Sequence, residues 1–254
     1  MLSISGESTP VRVIRSAQRG HWSNEWLQSW QSFPATGNFD FAANAHGVLM
    51  VHNEDTIEPG EGFDMHAHRD VEIITWVLEG SVVHRDSLGN EGVIYPGLAQ
   101  RMSAGTGIVH AERNGAGRRE RSRLRVVQMW IPPDELHRPP GYQELDIAAE
   151  LAGNTLVPMA SGMPKHRNDA AITFGNRYAT LHVARLDAGR SIQVPDAPHG
   201  HVFVARGEVE FEGYGQLQQG DAVRLTRTGG HRLTAEKDGA ELLVWEMHGI
   251  AANV

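Results

Sequence analysis

The sequence predicts an all-β protein made of two tandem antiparallel β-barrels with few short helices. Three observations predict it. Short strand-like runs bounded by Gly, Pro, Asn or Asp recur along the whole chain, the spacing expected of sandwiches and barrels. The second half repeats the order of the first. Convincing amphipathic helices are scarce: residues 24–33 and 143–151 are the best candidates, and both are short.

In the first half the strand-like runs cover residues 47–51, 72–78, 81–85, 92–95 and 123–131. The second half offers 178–186, 201–205, 208–211, 222–225 and 241–245. Val77-Leu78-Glu79-Gly80-Ser81-Val82 is echoed by Val204-Ala205-Arg206-Gly207-Glu208-Val209, each a strand, a glycine turn and another strand. Tyr95-Pro96-Gly97 is echoed by Gln219-Gly220-Asp221, and a final apolar run closes each half. Such internal duplication puts the boundary in the polar, proline-bearing stretch 132–153, where Pro139-Pro140-Gly141 is the strongest punctuation. The expected division is 1–135 and 136–254.

The 254 residues can bury a substantial core, and 40% hydrophobic with 21% charged residues is an ordinary globular composition. A formal charge of −8 argues against a dedicated nucleic-acid binder. No cysteine is present, so disulfides, thiolate metal sites and a cysteine nucleophile are excluded. Residues 1–15 lack the apolar core of a secretory signal, and no apolar run is long enough to span a membrane; a cytoplasmic location is expected.

The 14 histidines carry the chemistry. His66 and His68 stand two apart, as do His110 and Glu112. On a strand that spacing turns both side chains to one face. Two such strands facing one another inside a barrel would offer three imidazoles and a carboxylate to one point. This donor set suits a first-row divalent ion such as Fe(II), Mn(II), Ni(II), Cu(II) or Zn(II), whereas calcium and magnesium prefer more oxygen. Glu72, four after His68, shares the inward face only if the strand runs unbroken. Glu112 needs no such assumption and is preferred.

Gly60 with His66-Ala67-His68 and Glu72 resembles the first cupin motif, and Pro96-Gly97 with His110 and Asn114 the second. More specific stretches are Gly62-Phe63-Asp64-Met65-His66-Ala67-His68-Arg69-Asp70-Val71-Glu72 and Met102-Ser103-Ala104-Gly105-Thr106-Gly107-Ile108-Val109-His110-Ala111-Glu112. With Val77-Leu78-Glu79-Gly80 and Trp26-Leu27-Gln28-Ser29-Trp30, they resemble the pirin family, in particular its bacterial quercetinase-like members, over about residues 12–132. The resemblance implies a bicupin of jelly-roll type with its metal in the N-terminal barrel, held by His66, His68, His110 and Glu112.

It also implies a metal-dependent dioxygenase that opens the ring of a flavonol such as quercetin and releases carbon monoxide. Iron(II) is expected first as the cofactor, with Zn, Ni, Cu or Mn open. Glu112 would also act as the catalytic base. The competing class is an iron-binding regulatory protein with a transcription factor or metabolic enzyme as partner. No direct nucleic-acid or membrane partner is expected, and a monomer suits a duplicated fold that packs barrel on barrel.

In the second half, the 127-position offset between Gly80 and Gly207 carries His66 and His68 onto Gln193 and Pro195. His199, His201 and His231 lack the rest of the pattern and read as surface or hydrogen-bonded groups, so no metal is expected there. Arg113, Arg118, Arg119, Arg121, Arg123 and Arg125 read as a solvated loop between strands. Trp30, Phe33, Phe63, Trp76 and Trp130 could line an aromatic pocket, though buried core is the commoner fate.

Overall fold

The computed structural model describes residues 9–34 and 40–251; residues 1–8, the first part of the stretch read for a leader, lie outside it. The first half contains β1 (Val11–Ile14), β2 (Gly20–Ser23), β3 (Leu27–Gln31), a short helix α1 (Phe41–Asn44), β4 (Val51–Ile57), β5 (Gly62–His68) and β6 (Glu72–Glu79). It continues through β7 (Val82–Asp86), β8 (Glu91–Ile94), β9 (Leu98–Ser103), β10 (Ile108–Asn114) and β11 (Leu124–Ile131). β12 (Gly141–Asp146) and α2 (Ala148–Leu151) lead to β13 (Val157–Ser161), β14 (Ile172–Thr173), β15 (Ala179–Leu186) and β16 (Ser191–Gln193). β17 (His199–Phe211), β18 (Gly215–Gln218), β19 (Ala222–Thr226) and β20 (Arg232–Met247) complete the chain.

A seven-stranded sheet, ordered β12-β9-β6-β11-β4-β3-β2, faces a four-stranded sheet, β5-β10-β7-β8. Val77, Leu98 and Val126 from the first meet Val82 and Ile94 from the second, which makes the first cup. The second cup is a nine-stranded sheet along β1-β19-β17-β20-β15-β13-β14, with β16 and β18 added at its side. Val202, Val204, Val223, Leu242 and Val244 fill it. Two strands cross between the halves: β1 pairs with β19 in the second cup, and β12 pairs with β9 in the first.

The two cups pack back to back. Ile74, Trp76 and Leu78 of β6 and Val127, Met129 and Ile131 of β11 meet Leu181, Val183, Phe203, Leu243 and Trp245. This explains why β6 reads as a nearly continuous apolar run from Ile73 to Leu78, interrupted by Thr75 alone. Its other face, with Ile73 and Val77, is buried inside the first cup, so neither face needs polar residues. A cross-cup hydrogen bond from Trp76 Nε1 to Glu241 Oε1 (2.6 Å) satisfies the indole where it is buried.

Three local expectations are corrected. Residues 24–33 are not helical: Asn24 Oδ1 accepts from the Trp26 and Leu27 amides, and β3 then alternates Leu27, Ser29 and Gln31 inward. Residues 143–151 divide into the end of β12 and one helical turn, which Asp146 opens by accepting from the Ala148 amide. The run at 47–51 begins with a turn, and the strand is 51–57, masked in the sequence by the buried polar residues His52, Glu54 and Asp55.

Candidate metal centre

β5 and β10 pair antiparallel with His66 opposite His110 and His68 opposite Ile108. Alternation along β5 exposes Met65 and Ala67 and turns His66 and His68 inward. The three rings form a triangle with centroid separations of 4.4 Å (His66–His110), 4.8 Å (His66–His68) and 5.0 Å (His68–His110). One nitrogen from each lies within 4.8 Å of the others.

The nitrogens are held ready. His66 Nδ1 lies 2.7 Å from the Asp64 carbonyl oxygen, which it meets as a donor, leaving Nε2 with the lone pair. Nε2 of His68 and both ring nitrogens of His110 are buried with no hydrogen-bond partner. Burial, reinforced by mutual repulsion with the neighbouring histidines, pushes His68 down to about 4 and His110 down to about 3. Both rings are therefore uncharged at neutral pH. An unpartnered buried imidazole is costly unless something takes its lone pair, so the donor set fits a divalent cation.

A bulge falls between His110 and Glu112. It sets Glu112 opposite Phe63 on β5 and opposite His84 on β7. Glu112 groups with His110 and a further histidine, His84, within 4.8 Å. Its Oε2 accepts from Gln128 Nε2 (2.7 Å), and Gln128 Oε1 accepts in turn from Trp130 Nε1 (3.0 Å). His110 is thus shared by two overlapping groups, one of three imidazoles and one containing the carboxylate.

Glu72 goes elsewhere. Asp70 takes a left-handed turn (φ 48°), which breaks the strand between His68 and Glu72 and with it the shared parity. Glu72 Oε2 accepts from Ser103 Oγ (2.6 Å) in a cavity of about 230 Å³ between the cups that Arg101 and Arg138 also line. Burial raises its carboxyl despite Ser103 and Arg101. Among the described residues it joins no metal-competent group.

His84, Gln128 and Asp55 were not singled out by sequence. His84 lies on the inward face of β7, both ring nitrogens buried and unpartnered, and its Nε2 is 3.6 Å from Asp86. Only the inward parity of residues 81–85 could have flagged it. Asp55 on β4 is buried and pushed up to about 7 chiefly by burial, with the negative charges of Glu112 and Glu54 adding to it.

Of the aromatic residues, Trp76 and Phe33 are core. Trp130 packs edge-on to His68 at 5.0 Å, and Phe63 lies 6.1 Å from His66, so these two flank the histidines. In the arginine-rich stretch, Arg113, Arg118 and Arg123 pair with Asp64, Glu61 and Glu58, while Arg125 is largely buried against Glu54. His201 departs from expectation: it is fully buried between the cups with neither ring nitrogen bonded, packed against His52 and Phe33.

Two β cups in tandem, the first with an inward histidine cluster, define a bicupin. The pirin model matches residues 11–131, and the quercetinase C-terminal cupin domain model matches 166–247. A Mycobacterium tuberculosis protein provisionally named a quercetin 2,3-dioxygenase is 48% identical over 238 residues, 94% of this chain and 95% of that one. The quercetin 2,3-dioxygenase of Escherichia coli K12 is 42% identical over 147 residues, 58% of this chain and 62% of that one. The crystal structure of the E. coli pirin YhhW in complex with nickel(II) superposes with a TM-score of 0.80 at 29% identity, over 94% of this chain and 100% of that one. The chain belongs to the pirin family. Among the described residues no helix is long and apolar enough to cross a membrane.

Proposed function

We propose that this protein is a metal-dependent dioxygenase that opens the ring of a flavonol such as quercetin, its divalent ion held by His66, His68, His110 and Glu112. The observation that carries the reading is the triangle of His66, His68 and His110, in which His68 Nε2 and both nitrogens of His110 are buried without a hydrogen-bond partner, with the Glu112 carboxylate beside His110. The names of the relatives support the chemistry, and the nickel(II) in YhhW supports a divalent ion, with iron(II) still the first expectation here.

The bound ion supplies Lewis acidity toward a flavonol hydroxyl. The protein supplies the rest. Phe63 and Trp130 flank the site with flat apolar surface on which an aromatic substrate can stack. Glu112 Oε2 is engaged by Gln128, so Oε1 is the atom free to take the substrate hydroxyl proton. Losing that proton makes the ring electron-rich enough to react with dioxygen; both oxygen atoms enter the ring-opened ester, and one ring carbon leaves as carbon monoxide.

The test is anaerobic loading with iron(II) or nickel(II), followed by quercetin and oxygen. Loss of the flavonol absorbance with one carbon monoxide per turnover is expected. Glu112→Gln should slow turnover by about 100-fold or more, the usual worth of a positioned base. A silent assay with metal bound would sink the enzyme reading and favour the regulatory one. Full turnover by Glu112→Gln would remove the base.

A further inference from the structure

The second cup carries its own polar cluster, on strands other than those of the first. Along β15, Ala184 and Leu186 point into the second core, and His182 occupies the same face nearer the start of the strand. Along β20, Leu242 and Val244 do the same, and Glu246 follows on their face. β15 and β20 are paired, with His182 opposite Val244 and Thr180 opposite Glu246, so the imidazole and the carboxylate are diagonal neighbours at the edge of an apolar core. His166 comes to them from a single 3₁₀ turn, Pro164–His166.

We propose that His166, His182 and Glu246 form a second divalent-cation site, suited to zinc, cobalt or nickel. One ligand atom from each lies within 4.8 Å of the others. Glu246 Oε2 accepts a hydrogen bond from His182 Nε2 (3.3 Å) and lies 3.9 Å from His166 Nε2, so an ion would take the place of the His182 proton. Ligand bonds of about 2.0–2.1 Å in a tetrahedron put neighbouring donors about 3.3 Å apart. The spacing is therefore already near what an ion requires.

His166 is oriented as a ligand. Its Nδ1 is 3.1 Å from both carboxylate oxygens of Asp169, which fixes the proton on Nδ1 and leaves the lone pair on Nε2. That Nε2 is buried without a hydrogen-bond partner, as is the Nδ1 of His182. The other oxygen of Glu246 is separately satisfied: Oε1 accepts from Lys165 Nζ (2.5 Å) and His248 Nε2 (2.8 Å). A purely structural role for Glu246 accounts for Lys165, His248 and His182, yet leaves the Nε2 of His166 facing a carboxylate it does not hydrogen-bond. Two imidazole nitrogens and one carboxylate oxygen are a zinc-type set, with the fourth position open to water, and too poor in oxygen for calcium.

This site was invisible to the 127-position offset, because it uses β15, β20 and a turn, not the strand that corresponds to β5. It is independent of the first-cup reading. The test is a cobalt(II) titration of the full chain, followed by visible absorption. The double variant His66→Ala/His110→Ala, which removes the first-cup ligands, should still take up one equivalent and show the intense bands of four-coordinate cobalt. Adding His166→Ala should weaken that uptake by more than about 100-fold, and Asp169→Asn by about 10-fold. His166 lies on a surface turn, so its loss does not threaten the fold, and circular dichroism checks each variant. A folded double variant that takes up no cobalt below about 1 mM, or uptake indifferent to His166→Ala, overturns the proposal.

Discussion

At the residue scale, Gln128 orients the carboxylate of the first cup. Its amide donates to Glu112 and accepts from Trp130, so one side chain sets both the carboxylate and the indole wall. Gln128→Leu should leave the fold intact and lower turnover or metal affinity about 10- to 100-fold, the usual cost of losing an outer partner of a ligand. Steady-state kinetics with metal analysis reads it, and unchanged values would remove Gln128 from the account. The ligand candidates themselves were legible in the sequence, because two-residue spacing on a strand has one geometric consequence. Their companions were not. His84 and Gln128 stand 28 and 16 positions from Glu112, and only the register of β7 on β10 and the facing of the two sheets bring them together.

At the scale of elements, the β5–β10 pair with its bulge makes the site. Gly62 pairs with Arg113 just past the bulge, and a Cβ there would collide with the Glu112 carbonyl oxygen, at a φ of 155°. Gly62→Ala must push β5 away from β10 and spread the His66–His110 pair. We expect it to cost about 2 kcal/mol or more of stability and to weaken metal binding more than a mutation of equal cost elsewhere. Denaturant unfolding beside metal titration measures both, and stability loss with undiminished metal affinity would contradict the role given to the bulge. The alternating apolar strands could be read from sequence. β3 and β4 could not: the Trp26/Trp30 spacing mimics a helix, and β4 hides its inward face behind polar residues that are buried.

At the scale of the whole molecule, the two cups are joined by apolar packing, two exchanged strands and a seam of histidines. Burial above all, with Arg19 and Arg224 adding repulsion, pushes His52 down to about 3 and His46 down to about 4, and His201 is pushed well below its usual value. These rings stay neutral in the fold, whereas in the unfolded chain they gain a proton below about pH 6.5. Their contribution is thus fully present above that pH and is lost as pH falls toward the folded values. At pH 5, His52 alone accounts for about 2 kcal/mol, or roughly 4–8 °C in Tm. The metal-free His52→Phe variant should therefore lose less Tm than the wild type between pH 7 and pH 5, and parallel curves would refute the seam's part in acid sensitivity. Internal repetition revealed the doubling, but no local pattern revealed that β1 and β12 change cups, since that depends on which sheet edge each strand reaches.

The most direct measurement is X-ray absorption at the nickel edge, on protein carrying one equivalent of nickel(II) in a His166→Ala background that leaves the first cup to be read alone. Multiple scattering from three imidazole rings, with a carboxylate oxygen at about 2.1 Å, is the predicted spectrum, and His110→Ala should abolish it. A water-only shell, or a spectrum unchanged by His110→Ala, would contradict the account.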